Sequence, residues 1–355
     1  MNRTLRTRAL AATGALAAGT LALTGCSGGG SDEDTVGVTL IVKTTANPFF
    51  VAMQEGAEAA AEEAGVDLTV AAGREDGDED SQIQAVENAI SRGDDGILIT
   101  VNGPGVEDAL VRARDAGLYV IALDTPPSDP ESVDITFATD NFLAGQRIGE
   151  WTAAQLGGDQ AVIAMIDLFD DKIVSVDVQR DQGFLDGMGI DTADPAAYGD
   201  EAATGQYSGG GYEIVGHEAS QGAEDGGRTA AENLLSINPD INVVYTINEP
   251  AAYGAYEAFD AAGATEGLIV ASVDGGCAGV DAVADGVIGA TSQQYPVRMA
   301  QLGVEAIHSL VTTGEAPETT EGLDFFDTGV ELVTDTPHEG IESITSAEAA
   351  DVCWG

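Results

Sequence analysis

Val36-Gly37-Val38-Thr39-Leu40-Ile41-Val42-Lys43-Thr44-Thr45-Ala46-Asn47-Pro48-Phe49-Phe50 decides the fold. Its first half, Val36–Val42, is an apolar run of the length expected for a buried strand. Pro48 suits the first turn of a helix, where a missing N–H costs nothing. Asn47 stands just before it, as a capping residue would. Strand, short loop and helix together make the opening of an α/β unit. The loop carries an ammonium (Lys43), an amide (Asn47) and two phenyl rings (Phe49, Phe50) at the carboxyl end of a strand. Ligands sit at that edge in open α/β sheets. Donors, acceptors and flat apolar faces suit a polyhydroxylated ring. The competing reading makes the phenyl rings ordinary core residues and Lys43 a surface charge.

Outward from this stretch the chain alternates. A helix over Pro48–Ala64 stops at Gly65. A short strand covers Leu68–Ala71, and a helix with Ile83, Val86 and Ile90 on one face covers Ser81–Ser91. Gly96–Thr100 and Leu118–Leu123 read as strands around a helix at Gly105–Ala116, and Ile135–Ala138 is a further strand. A second series runs from Phe142–Leu156 through strands at Ala161–Ile166, Tyr212–His217, Asn242–Thr246 and Leu268–Ser272. Residues 191–211 read as a loop-rich insertion. Alternation of this kind implies parallel sheets with right-handed crossovers. The count of units exceeds one ordinary sheet, so the expected fold class is α/β with two Rossmann-like lobes of parallel strands.

The amino terminus reads as a leader. Arg3, Arg6 and Arg8 precede an apolar run, Ala9–Leu23, too short to span a bilayer comfortably. It ends in Leu23-Thr24-Gly25-Cys26, which resembles the bacterial lipobox, so Cys26 is expected to be acylated after cleavage. Residues 26–35, Gly/Ser-rich and then acidic, read as a tether. The leader holds three of the 13 basic residues and none of the 61 acidic ones, so the exported chain carries a net charge of −51. Such a surface repels nucleic acid. With Cys26 lipidated, Cys277 and Cys353 form an even pair in an oxidising compartment, which implies one disulfide; two buried free thiols are the alternative.

The strand ends carry polar side chains: Lys43, Asp124, Asn248, Asp274 and Gln294. In two facing α/β lobes these ends point into one cleft. Arg180 could add a guanidinium from the second lobe; the alternative is a surface ion pair with Asp177 or Asp181.

At these residues the chain resembles the type I periplasmic substrate-binding proteins of the ribose/arabinose family. Within that family it is similar to the fructose-binding members of bacterial ABC importers. The strings Ile247–Tyr256 (INEPAAYGAY), Ser272–Gly279 (SVDGGCAG), Thr291–Pro296 (TSQQYP) and Cys353–Gly355 (CWG) carry the resemblance. It implies two lobes joined by three hinge segments, near Thr139-Asp140, Gln294-Tyr295 and Leu323. The lobes are then 36–139 plus 295–322, and 140–294 plus 323–355, after a leader at 1–25. It implies a sugar site made of Lys43, Asn47, Phe49, Phe50, Asp124, Arg180, Asn248, Asp274 and Gln294, with a second-lobe aromatic among Tyr207 and Tyr212 or Gln221 in its place. It also supports the Cys277–Cys353 bridge. The implied activity is capture of a monosaccharide, D-fructose, by a lipid-anchored monomer that delivers it to a permease. No catalysis, cofactor, metal or nucleic acid is expected. A sugar sensor feeding a signalling receptor, and ribose- or xylose-type specificity, are the alternatives.

Other patterns are discounted. Asp76, Asp78, Asp80 and Glu87 fall near calcium-loop spacing, but Ser81 stands where that loop needs Gly, and Asp80 reads as a helix cap. No P-loop is possible, because neither Lys43 nor Lys172 follows a Gly. His217, His308 and His338 show no metal spacing and read as helix-surface or loop residues. Asp124 and Asp274 as a hydrolytic carboxylate pair lack any neighbour placed to raise one pKa.

Overall fold

The computed structural model describes residues 35–355; the leader, Cys26 and most of the tether lie outside the described residues. The deciding stretch folds as its residues suggest. Strand β1 (Gly37–Val42) leads to helix α1 (Pro48–Ala64). The Asn47 side chain accepts the Phe49 N–H, Pro48 opens the helix, and Gly65 closes it in the left-handed region. Then follow β2 (Asp67–Ala72), α2 (Glu79–Arg92), β3 (Gly96–Ile99), α3 (Glu107–Asp115), β4 (Tyr119–Leu123) and β5 (Ile135–Ala138). Asp78, rather than Asp80, caps α2, because Arg74 grips its carboxylate at 2.7 Å and holds it over the Ser81 N–H.

The second series is α4 (Asn141–Leu156), β6 (Ala161–Asp167), α5 (Ser175–Met188), β7 (Thr204–Gln206), β8 (Gly211–Ala219), α6 (Glu224–Ile237), β9 (Val243–Thr246), α7 (Glu249–Ala262), β10 (Ile269–Asp274), α8 (Cys277–Ala284) and β11 (Ala290–Gln293). Last come α9 (Pro296–Thr313), β12 (Phe326–Asp327), β13 (Glu331–Val333) and α10 (Ser346–Ala349).

Two sheets result. The first runs β12-β5-β4-β3-β1-β2, all parallel; the second runs β13-β11-β10-β9-β6-β8-β7, antiparallel only at its two edges. Each core order reads 2-1-3-4-5 within its own series, the doubly wound arrangement whose crevice lies outside the first and third strands. Both faces of each sheet are covered, which is why the strands are continuous apolar runs. On β1, Val38, Leu40 and Val42 pack under α1 and α9, while Ile41 joins Val86, Ile97 and Ile99 on the other face. On β6, Ile163 and Met165 face α4 and α5; Ala164 and Ile166 face α6 and α7.

The chain passes between sheets three times. Two crossings lie where the sequence places hinges, at Thr139-Asp140 and Gln294-Tyr295. The third is later than Leu323: Phe326 and Asp327 still pair with Phe137 and Ala138 of the first sheet, and the chain leaves only through Thr328–Val330. Phe326 stays because its ring packs on Phe137, centroids 4.9 Å apart.

Helices α4 and α5 touch backbone to backbone. A Cβ at Gly145 would overlap the Arg180 carbonyl, and one at Gly183 the Phe142 carbonyl. This contact sets the position of α5, and so of Arg180. Cys277 and Cys353 form a disulfide, Cα atoms 4.9 Å apart, tying the carboxyl terminus to α8.

Gly183→Val should lower the unfolding free energy by ~3 kcal/mol through overpacking, read as a fall in the urea midpoint; an unchanged midpoint would mean the helices part without cost. Cys353→Ser removes a bridge across a separation of 76 residues, and the expected loss is about 4 kcal/mol, seen as a lower melting temperature that reductant does not change further.

Candidate functional site

The strand ends of the two sheets face each other across a narrow, largely closed gap with about 30 Å³ of free space. All nine residues singled out in the sequence line it: Lys43, Asn47, Phe49, Phe50 and Asp124 from the first half, and Arg180, Asn248, Asp274 and Gln294 from the second. The free space is room for about two waters, so a ring-sized guest enters only when the two halves part.

Each side chain is held by local structure. Lys43 continues β1 into the gap and is 2 % exposed, its Nζ 6.0 Å from the Phe50 ring centre. Phe49 and Phe50 meet edge to face at 5.3 Å, and Trp354 meets Phe49 the same way at 5.3 Å. Trp354 gets there because the disulfide fixes Cys353, because Cys277 N–H bonds the Trp354 carbonyl, and because the indole N–H donates to the Gln294 carbonyl at 2.9 Å.

Asp124 and Asp274 occupy equivalent places, at the carboxyl end of the fourth strand of each core. Both have positive φ, 63° and 151°. A non-glycine residue there is strained, and such strain collects at functional sites. Gln294 donates to Asp274 Oδ1 at 3.0 Å, leaving its own Oε1 buried and unpaired. Asn248 caps α7 with its oxygen and donates to the Gly222 carbonyl.

Arg180 is not a surface residue. It is 4 % exposed, donates to Asn141 Oδ1 at 2.8 Å and the Ile247 carbonyl at 2.9 Å, and stands 3.8 Å from Asp124 of the other lobe. Its ion-pair alternatives are otherwise engaged: Asp177 accepts the Leu168 and Phe169 N–H groups, and Asp181 turns toward His217. The lobes are also joined at the mouth, where Lys172 Nζ donates to the Gly77 carbonyl at 3.2 Å and Ser175 Oγ to the Pro126 carbonyl at 2.6 Å.

The sequence reading missed four kinds of residue. Asp76 lines the gap with a buried, unpaired Oδ1; burial pushes its carboxyl up, with Lys43 opposing. Its loop is shaped by Asn102, which accepts the Gly77 N–H and donates to the Asp78 carbonyl. Asn141, inside the Thr139–Asn141 hinge, orients Arg180. Trp354 was visible only as part of a motif. The second-lobe wall is aliphatic, made of Leu168, Val176 and Ile247. Tyr207 and Tyr212 are instead core residues against α4 and α5, Tyr207 donating to the Asp159 carbonyl, and Gln221 stays at the outer rim.

Behind Asp274 lies Glu249, 3 % exposed, accepting the Gly275 and Gly276 N–H groups and the Thr291 hydroxyl. Burial, then the Asp274 charge, raises Glu249 to about 8. Burial raises Asp274 to about 7, with Arg180 opposing. The folded chain therefore holds protons here that the unfolded chain has released above pH ~4. Stability linked to the pair should fall between pH 4 and 8 as those protons leave. A melting curve of the ligand-free protein should drop over that interval, and Glu249→Gln should flatten the drop; an unchanged slope would show that the pair does not titrate there.

Residues 37–316 match the periplasmic binding protein domain family. The ribose import binding protein of Escherichia coli is 28% identical over 269 residues, covering 76% of this chain and 82% of its own. The D-ribose/D-allose-binding protein of Pseudomonas aeruginosa is 28% identical over 311 residues, covering 84% and 88%. Among solved structures, an ABC transporter solute binding protein from Agrobacterium vitis with bound D-fucose superposes with a TM-score of 0.71 at 26% identity, covering 87% of this chain and 100% of its own. The fold, the facing strand ends and these likenesses agree: the chain belongs to the periplasmic binding protein domain family.

Proposed function

We propose that this protein captures a monosaccharide, D-fructose, between its lobes outside the cytoplasmic membrane and delivers it to the permease of an ABC importer. The observation that carries the reading is the gap itself. Two cations, three carboxylates, three amides and two phenyl rings converge on one gap between the lobes. Lys43, Asn47 and Asp124 bond the sugar from the first lobe; Arg180, Asn248, Asp274 and Gln294 bond it from the second. Phe49 and Phe50 take its C–H face against the aliphatic wall. Relatives named for ribose, allose and apiose import support the sugar class. Fructose is favoured by the strings at 247–256, 272–279 and 291–296 and by the bridged Cys353-Trp354-Gly355 terminus. Acylated Cys26 holds the monomer at the membrane.

A buried site of this type selects by leaving groups unpaired when a hydroxyl points the wrong way. Calorimetry against fructose, ribose, xylose, arabinose, glucose and galactose should give fructose the tightest binding. Asp124→Asn should weaken it ten- to hundredfold, about 1.4–2.8 kcal/mol. If another sugar binds better, the fructose assignment fails and the carbohydrate reading stands. If none binds, both fail.

A further inference from the structure

Behind the second-lobe wall, a quarter turn or so round α5 from Arg180, lies a cluster that the ligand gap does not use. Asp167 ends β6, Asp181 is on α5, and His217 is on β8, with one donor atom from each lying within 4.8 Å of the others. His217 is thus neither in a loop nor on a helix surface. Its Nδ1 is 2.7 Å from Asp167 Oδ2 and 3.9 Å from Asp181 Oδ2, and its Nε2 is 3.0 Å from Glu201 Oε1. The three carboxylate side chains are 2 %, 0 % and 3 % exposed. Four of their oxygens have no hydrogen-bond partner: Asp167 Oδ1, both oxygens of Asp181, and Glu201 Oε2.

Three buried acids crowd one imidazole, and orphaned carboxylate oxygens cost free energy. Both carboxylate oxygens of Asp181 are unpaired, with Oδ2 toward the His217 ring. We infer that Asp167, Asp181 and His217 form a divalent transition-metal site, with zinc as its fitting ion. One imidazole nitrogen and two carboxylate oxygens, with water in the fourth place, make a tetrahedral zinc set. Calcium asks for six to eight oxygens and no nitrogen. Glu201 then has the outer role, accepting the Nε2–H and fixing the tautomer that presents Nδ1 to the ion. The ion replaces the proton shared between Nδ1 and Asp167, so binding releases that proton to solvent. Donors around zinc stand ~3.3 Å apart, so small side-chain movements close the shell. The cluster joins α5 to β6 and β8, and Asp181 adjoins Arg180 in sequence. A metal here would lock the helix that carries the guanidinium into the gap.

The test needs no sugar, so its outcome is separate from the transport reading. Chelator-stripped protein is titrated with zinc chloride by calorimetry in two buffers of different ionisation enthalpy, with thermal melting alongside. One zinc per chain, proton release and a raised melting temperature are expected. Asp181→Asn and His217→Gln should abolish the site, and Glu201→Gln should weaken it ten- to hundredfold. In chelator, Asp181→Asn should melt no lower than the parent, since it removes a buried carboxyl that has no hydrogen-bond partner. Zinc binding without a saturable single site, or equal affinity in Asp181→Asn, would reduce it to adventitious binding by an acidic surface and overturn the inference. Displacement of zinc by equimolar calcium would overturn the nitrogen-ligand assignment.

Discussion

A guanidinium held out of water organises this molecule. Stripping an ion of its hydration costs several kcal/mol even after the protein relaxes, so Arg180 must be answered by fixed acceptors. Asn141 and the Ile247 carbonyl supply two within the second lobe. Arg180 also attracts Asp274 within that lobe and, at 3.8 Å, Asp124 from the other. That distance is too long for a hydrogen bond. The pair draws the halves together without satisfying itself, and leaves polar atoms that a guest can complete. Across the gap, Lys43 and Arg180 stand against Asp76, Asp124 and Asp274, and Asp274 is pushed toward its protonated form. A near-neutral cavity rich in unpaired acceptors suits an uncharged guest with many hydroxyls.

The two lobes solve one geometric problem twice. In each, the fourth core strand ends on an aspartate with positive φ. The turn aims the carboxylate inward, where a residue in ordinary strand geometry would pair with its neighbours. Each strained residue is held by backbone bonds at its shoulder: Asp124 N–H to the Phe137 carbonyl, and the Asp274 carbonyl to the Gln294 N–H. The strain is thus tied to the sheet and not to a mobile loop.

The sequence was most informative where local chemistry and topology coincide. Lys43 through Phe50 could be read because an apolar strand, a cap and a helix-opening proline are all local signals. Asp124, Asn248, Asp274 and Gln294 followed because strand ends converge in this architecture. Asp76 was hidden because its loop is shaped by Asn102, a contact between separate elements. Arg180 remained open because helix spacing does not say which face is inward; two glycine contacts with α4 decide that. His217 looked isolated because Asp167 lies fifty positions away and Asp181 thirty-six. Trp354 was legible only as a string, since its place under Phe49 depends on a cross-link and a long-range hydrogen bond.

The late crossing of the chain has a consequence for synthesis. The first sheet is finished only by β12, and its cover by α9, both contributed after the second sheet's central strands. Neither half is therefore a contiguous segment that could mature while the remainder is still on the ribosome. A polypeptide truncated before Phe326 lacks the edge of one half and the closing strand of the other. Completion of both is delayed until almost the entire message has been translated.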